Sequence, residues 1–385
     1  MQDKNMLMIP GPTPVPESVL LAMAKHPIGH RSGDFSKIIA ELTANLKWLH
    51  QTTNDLLMLT VSGTGAMEAA IINFLSPGDR ILVGNNGKFG ERWSLVGKAF
   101  GLQVEEITAE WGKPLDPEVF RAKLAADTAK TIKAVIITHS ETSTGVLNDL
   151  ETINTHVKNH GESLIIVDAV TSLGAVNVPI DQWGLDVVAS GSQKGYMIPP
   201  GLGLISVSQK AWKAYENAKI PKFYLDLKAY KKATDKDSSP FTPPVNLMYG
   251  LQVSLQMMKK EGLESIFARH ARLTQATRAA MKALGLPLFA PDEAASPAIT
   301  AVMPTGVDAE AIRSTMKKQF DIALAGGQDH LKGKIFRIGH LGFVGERDIL
   351  SAIAALESTL QTLGYEGATP GAGIAAAASI LAKVG

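Results

Sequence analysis

Apolar and polar positions along this chain follow two periods that take turns. From about residue 55, short apolar runs alternate with longer stretches of helical spacing. "LLMLTV" is a short apolar strand and "GTGAMEAAIINFL" reads as a helix. "RILVG" is again a strand and "FGERWSLVGKAFG" a helix. "AVIITH" and "LIIVDA" are β-branched apolar runs of the kind buried on both faces in parallel sheets. A helical stretch, "DLETINTHVKNHG", lies between them, and "LDVVAS" and "GLGLISVS" follow. Strand–helix alternation of this kind predicts an α/β fold: a large domain with a mostly parallel sheet flanked by helices.

The pattern differs at both ends. "MIPGPTPVPESVLLAM" is proline-rich before it turns helical, and Pro16 suits the first turn of that helix. Residues 1–20 are read as an N-terminal arm of the kind that packs on a partner chain, and residues 21–261 as the large domain. Near residue 220, "DLKAYKKATDKDSSPFTPPVN" is polar and turn-rich and reads as a loop, before the helical "LMYGLQVSLQMMKKEG". Residues 262–366 carry helices and a few short strands ("AITAVM", "KIFRIGHLG") and are read as a smaller C-terminal α+β domain. Residues 367–385 form an Ala/Gly-rich tail, either mobile or a short helix. No internal repeat is visible.

Composition narrows the function classes. The chain has 385 residues, 45% hydrophobic and 19% charged, which suits a globular enzyme of two domains. Lys plus Arg is 38 against 37 for Asp plus Glu, so charge gives no reason to expect nucleic acid or an anionic membrane as partner. There is no cysteine, which excludes disulfides, thiolate nucleophiles and thiolate metal sites. The histidines are scattered and suggest no metal site. The N-terminus lacks the apolar stretch of a signal peptide, and no apolar run is long enough to span a bilayer. A cytoplasmic protein is expected.

In open α/β sheets, ligands sit beyond the carboxyl ends of the strands. Four such ends carry chemistry here: "SGTGAM", "HSETSTG", Asp168 and "SGSQKG". The first is either a phosphate cradle at a helix N-terminus or a plain strand-to-helix turn. As a dinucleotide fingerprint it fits poorly, because Glu68 stands at the third glycine position. As a Walker loop it fits worse, since no Lys-Ser/Thr pair follows. Asp168 is either a turn aspartate or a carboxylate facing a buried cation. Lys194, set among small residues after an apolar strand, is either a solvated loop lysine or a nucleophile. A lysine and a carboxylate held over an anion cradle suit pyridoxal phosphate: the lysine bonds the aldehyde, the carboxylate keeps the pyridine nitrogen protonated, and the glycine loop takes the phosphate.

Taken together, "SGTGAMEAA", "HSETSTGV", "VDAVTSLG", "SGSQKGYMIPPG", "TPPV" and "RIG" resemble the class V aminotransferases of pyridoxal phosphate fold type I, nearest the alanine–glyoxylate and serine–glyoxylate branch. The resemblance runs from "PGPTPVP" to "FRIGHLG". It implies pyridoxal 5′-phosphate as cofactor, amino acid and 2-oxo acid substrates, and a homodimer. It implies that Lys194 is the Schiff-base lysine and Asp168 the partner of the pyridine nitrogen. Thr64, Gly65 and Ala66 match the cofactor-binding turn, Thr142 a hydroxyl beside the ring, and Gln193 a phosphate contact. Phe89 matches the aromatic that stacks on the ring, where relatives often carry Trp. Thr242 matches a phosphate contact supplied by the other subunit. Relatives can carry a tyrosine three residues before it, where this chain has Ser239. Arg337 in "FRIG" matches the arginine that grips the substrate carboxylate. His30 and Arg31 stand either at the entrance or in a solvated loop.

Overall fold

The computed structural model describes residues 5–382. Its central sheet has seven strands in the order Asp55–Leu59, Gly203–Val207, Val187–Gly191, Leu164–Asp168, Ile132–Thr138, Arg80–Asn85 and Gln103–Thr108. Gly203–Val207 runs antiparallel to both its neighbours, and the remaining adjacent pairs are parallel.

Side-chain alternation explains why the central runs contain almost no polar residue. Ile165, Val167 and Val188 enter one core with Phe35, Leu42 and Phe120. Leu164, Ile166, Val187 and Ala189 enter the opposite core with Met67 and Trp93. A strand covered by helices on both faces must be apolar at every position, whereas a half-exposed strand would alternate.

Two local expectations change. Within the supposed loop after residue 220, Leu227–Thr234 is a helix, capped by the Asp226 carboxylate through the Lys228 N–H at 3.1 Å. Only Leu227 and Tyr230 of that helix are buried, so its apolar stripe is one turn long and lost among lysines. Gln103–Thr108, which the apolar pattern does not mark, is one of the two edge strands, and its polar side chains reflect an exposed face.

A second, four-stranded sheet has the order Met6–Met8, Ile322–Gly326, Phe336–Gly339 and Ile299–Val302. Met6–Met8 pairs in parallel with Ile322–Leu324. This stretch of the arm, expected to pack on a partner, therefore packs on its own chain and joins the sheet that carries Arg337. The tail contains the helix Ala372–Leu381, whose first N–H groups at Gly371, Gly373 and Ile374 donate to the Glu357 carboxylate at 2.7–3.1 Å. Among the described residues no helix is long and apolar enough to cross a membrane.

Candidate active site

A cavity of about 290 Å³ opens at the carboxyl ends of the central strands. Lys194, Asp168, Thr64, Phe89, Thr142 and Gln193 all line it. Segments far apart in sequence meet there because the parallel strands Ile132–Thr138, Leu164–Asp168 and Val187–Gly191 end side by side. Gly65 and Ala66 do not face the cavity. A Cβ on Gly65 would meet the Val61 side chain at 2.6 Å and Ala66 is fully buried in the core, while Ser62 and Gly63 stand with Thr64 at the rim.

Lys194 is buried, and its Nζ donates to the Pro10 carbonyl at 2.6 Å. Burial lowers its pKa to about 7, the Arg337 and Arg92 guanidinium groups push the same way, and the Asp168 carboxylate offsets part of this. An amine lowered to near neutrality has an uncharged form available at neutral pH, as a nucleophile or base requires. Asp168 is likewise buried, and desolvation raises its carboxyl to about 6. Its Oδ1 accepts from the Val170 N–H at 2.9 Å, a bond that favours the ionised form.

Arg337 is buried beside the cavity rather than on its wall. Its Nε and Nη2 donate to the Gly326 carbonyl at 3.0 and 2.6 Å, and its Nη1 donates to the Thr142 carbonyl at 2.9 Å. A guanidinium has five N–H donors, so these three bonds leave one on each terminal nitrogen. Burial brings its pKa down to about 10, and the Glu141 carboxylate opposes the shift, so it stays charged at neutral pH. Thr142 itself shares a 2.7 Å hydroxyl–hydroxyl bond with Thr171, another cavity residue.

Three contributors escaped the sequence reading. Arg92 lines the cavity, donates from Nη1 to the Thr64 hydroxyl at 3.0 Å, and lies 4.7 Å from the Phe89 ring centroid. The available signal was its spacing three residues after Phe89 on one helix face. Gly11 and Pro12 line the cavity too, and a Cβ on Gly11 would come within 2.6 Å of Lys194 Nζ. Nothing in local sequence ties that turn to a lysine about 180 positions away. Thr242 is exposed and outside this chain's cavity. His30 and Arg31 do not line it either; Arg31 donates to the Ser239 carbonyl and to the Ser238 hydroxyl, holding the loop before Thr242.

Residues 6–338 match the model of the family described as aminotransferase class V. The chain belongs to the class V aminotransferases. It is 72% identical, over 100% of both chains, to a protein from Anabaena cylindrica named soluble hydrogenase 42 kDa subunit. It is 39% identical to serine–glyoxylate aminotransferase from Methylorubrum extorquens, over 98% of this chain and 96% of that one. The solved structure of alanine–glyoxylate aminotransferase from Nostoc sp. superposes with a TM-score of 0.89 at 32% identity, covering 94% of this chain and 96% of that one. Class V aminotransferases are pyridoxal-phosphate enzymes of fold type I, and the seven-stranded sheet with its flanking helices is that fold.

The residues present fit this cofactor. The helix Gly63–Ile72 begins at the cavity, and its cap residue Ser62 makes no side-chain capping bond, which leaves N–H donors for an anion. The Gln193 Oε1 is buried with no hydrogen-bond partner among the described residues, so this acceptor is open to a donor on a ligand. Asp168 would offer a carboxylate to a protonated ring nitrogen, Lys194 an amine to an aldehyde, and Phe89 an aromatic face to the ring.

Proposed function

We propose that this aminotransferase moves the amino group of alanine or serine to glyoxylate, giving pyruvate or hydroxypyruvate and glycine. The observation that carries the reading is one buried place that joins a lysine near neutrality, a carboxylate at a strand end, and an arginine with a donor left on each terminal nitrogen. The likeness to glyoxylate-using relatives supports the acceptor.

When bound, pyridoxal phosphate supplies an aldehyde that takes the amino group and a ring that withdraws electrons from the substrate Cα. The chain's residues do the rest. Arg337 holds the α-carboxylate, which donor and acceptor both carry, so one guanidinium serves both halves of the reaction. Lys194 Nζ, its pKa brought near neutrality by burial, would take the proton from the substrate Cα and return it to the carbon of the former aldehyde group. Asp168, ionised above about pH 6, keeps a proton on the ring nitrogen. Phe89 would stack on the ring and Thr142 would offer it a hydroxyl, while Ser62, Thr64 and the Gln193 amide N–H would hold the phosphate.

A homodimer completes the reading. Thr242 is exposed at the end of a loop anchored by Arg31, and its neighbours Phe223 and Tyr224 are exposed aromatics packed on Phe241. This tip reaches a partner's phosphate site.

The name of the Anabaena relative favours a second reading, in which the chain is a catalytically silent subunit of a larger assembly. With no cysteine, this chain has no thiolate with which to ligate a metal cluster, so its part there would be structural. A panel of amino donors tested against glyoxylate and pyruvate decides. Glycine formation from alanine or serine supports the first reading. A bound cofactor whose spectrum no amino acid changes supports the second.

A further inference from the structure

Glu141 is among the most deeply buried charged residues of the chain, with 0% exposure, and the reaction sketched above does not use it. Its Oε2 accepts from the backbone N–H groups of Phe89 and Gly90, both at 3.1 Å. Its Oε1 accepts from the Ser143 N–H at 3.0 Å and the Ser143 hydroxyl at 2.5 Å. Phe89 and Gly90 are in the first turn of the helix Lys88–Ala99, where N–H groups lack partners within the helix. The residue before that helix is Gly87, which has no side chain to cap it, and a Cβ there would collide with the Glu141 carboxyl. The cap therefore comes from about fifty residues away.

The carboxylate lies between three groups of the site. It bonds the backbone of Phe89 directly. It precedes Thr142, which lines the cavity, and the Thr142 carbonyl receives Arg337 Nη1 at 2.9 Å. Burial raises its carboxyl above the ordinary value, and its four donors pull it back down. No cation lies within ion-pair distance of it among the described residues. A buried carboxylate is costly unless its lone pairs are filled, so this arrangement persists only while both backbone segments keep their places.

We propose that Glu141 is a positioning residue, a long-range helix cap that holds the Phe89 ring against the cofactor and the Thr142 carbonyl against Arg337. The inference rests on the aminotransferase reading for its effect on turnover, but not for its effect on the bound cofactor.

The test uses the holoenzyme and four variants: Glu141→Gln, Ser143→Ala, Phe89→Leu and the double variant Glu141→Gln/Phe89→Leu. The readouts are the visible circular dichroism of bound pyridoxal phosphate, its dissociation constant, and kcat and KM for donor and acceptor. Glu141→Gln keeps one acceptor oxygen but brings an N–H against N–H donors. We expect it to at least halve the dichroic band, weaken cofactor binding about tenfold and lower kcat/KM more than tenfold, with Ser143→Ala a milder form of the same change. In the Phe89→Leu background the dichroic effect of Glu141→Gln should largely vanish, because the two act through one contact. If Glu141→Gln and Ser143→Ala lower thermal stability while the band, the cofactor affinity and kcat/KM stay within twofold, the proposal is overturned. Full additivity with Phe89→Leu overturns it as well. If Glu141→Gln does not fold, Ser143→Ala decides by the same criteria. A changed band in a protein that transaminates nothing upholds the positioning role and defeats the activity reading.

Discussion

Arginine 337 offers a test in which geometry and charge separate. Arg337→Lys keeps the positive charge but has no planar fork. In the structure Arg337 is 7% exposed and its guanidinium makes three bonds, two to the Gly326 carbonyl and one to the Thr142 carbonyl, with one donor left on each terminal nitrogen. A lysine ammonium has three donors on a single nitrogen. It cannot reach both carbonyls and still present two parallel donors to a substrate carboxylate. A charge-assisted bond lost from a desolvated site costs about 2–4 kcal/mol, roughly 30- to 1,000-fold in kcat/KM. The loss should fall on both half-reactions, since donor and acceptor each carry an α-carboxylate. The cofactor should stay on Lys194, whose contacts do not include the Arg337 side chain. The assay is steady-state kinetics with alanine and glyoxylate varied in turn, beside the absorption spectrum of the resting enzyme. If kcat/KM for both stays within about threefold of the parent, under ~1 kcal/mol, Arg337 is not the carboxylate site.

Borohydride reduction of the purified holoenzyme, followed by peptide mapping, should place the cofactor on Lys194, and label on another lysine would refute that role. Asp168→Asn should retain the fold and lose most turnover at saturating cofactor, because an amide cannot keep the ring nitrogen protonated; near-normal turnover would count against it. Mixing inactive Lys194→Ala chains with an inactive Thr242→Ala chain should restore part of the activity in hybrid dimers, and a fully active monomer in sedimentation would rule this out. Acid should destabilise the protein early. Burial holds His139 down at about 4 and His50, His270 and His340 at about 3, so below the unfolded value of 6.5 the unfolded chain binds protons that the native one refuses. Their contribution is complete above pH 6.5 and falls with pH toward 4 for His139 and toward 3 for the other three, by about 2 kcal/mol per histidine at pH 5. The raised carboxyls of Asp168 and Glu141 oppose this, two groups against four. Thermal unfolding followed by circular dichroism should show a steep drop between pH 6.5 and 5, and a flat profile there would contradict the burial of neutral histidines.

Two properties of this protein were legible in the order of its residues because their physical cause is local. Apolar runs such as "AVIIT" and "LIIV" announce strands covered on both faces, since only such strands need an apolar side chain at every position. The ends of those strands then name Thr142, Asp168 and Lys194 as neighbours, because parallel strands bring their carboxyl ends to one edge. The helix Leu227–Thr234 was not legible, as two buried residues among lysines make no periodic signal. The pairing of Met6–Met8 with Ile322–Leu324 and the Pro10 carbonyl on Lys194 were not legible either. Backbone groups carry no side-chain identity, so nothing in their spelling says which partner they meet. The same holds for the cap that Glu141 places on a helix fifty residues earlier, and for the carbonyls of Gly326 and Thr142 that aim Arg337. Local sequence determined the elements and the chemical types at the site. Only the tertiary structure decided their protonation and aim, because desolvation and hydrogen-bond partners belong to the surroundings of a residue rather than to the residue itself.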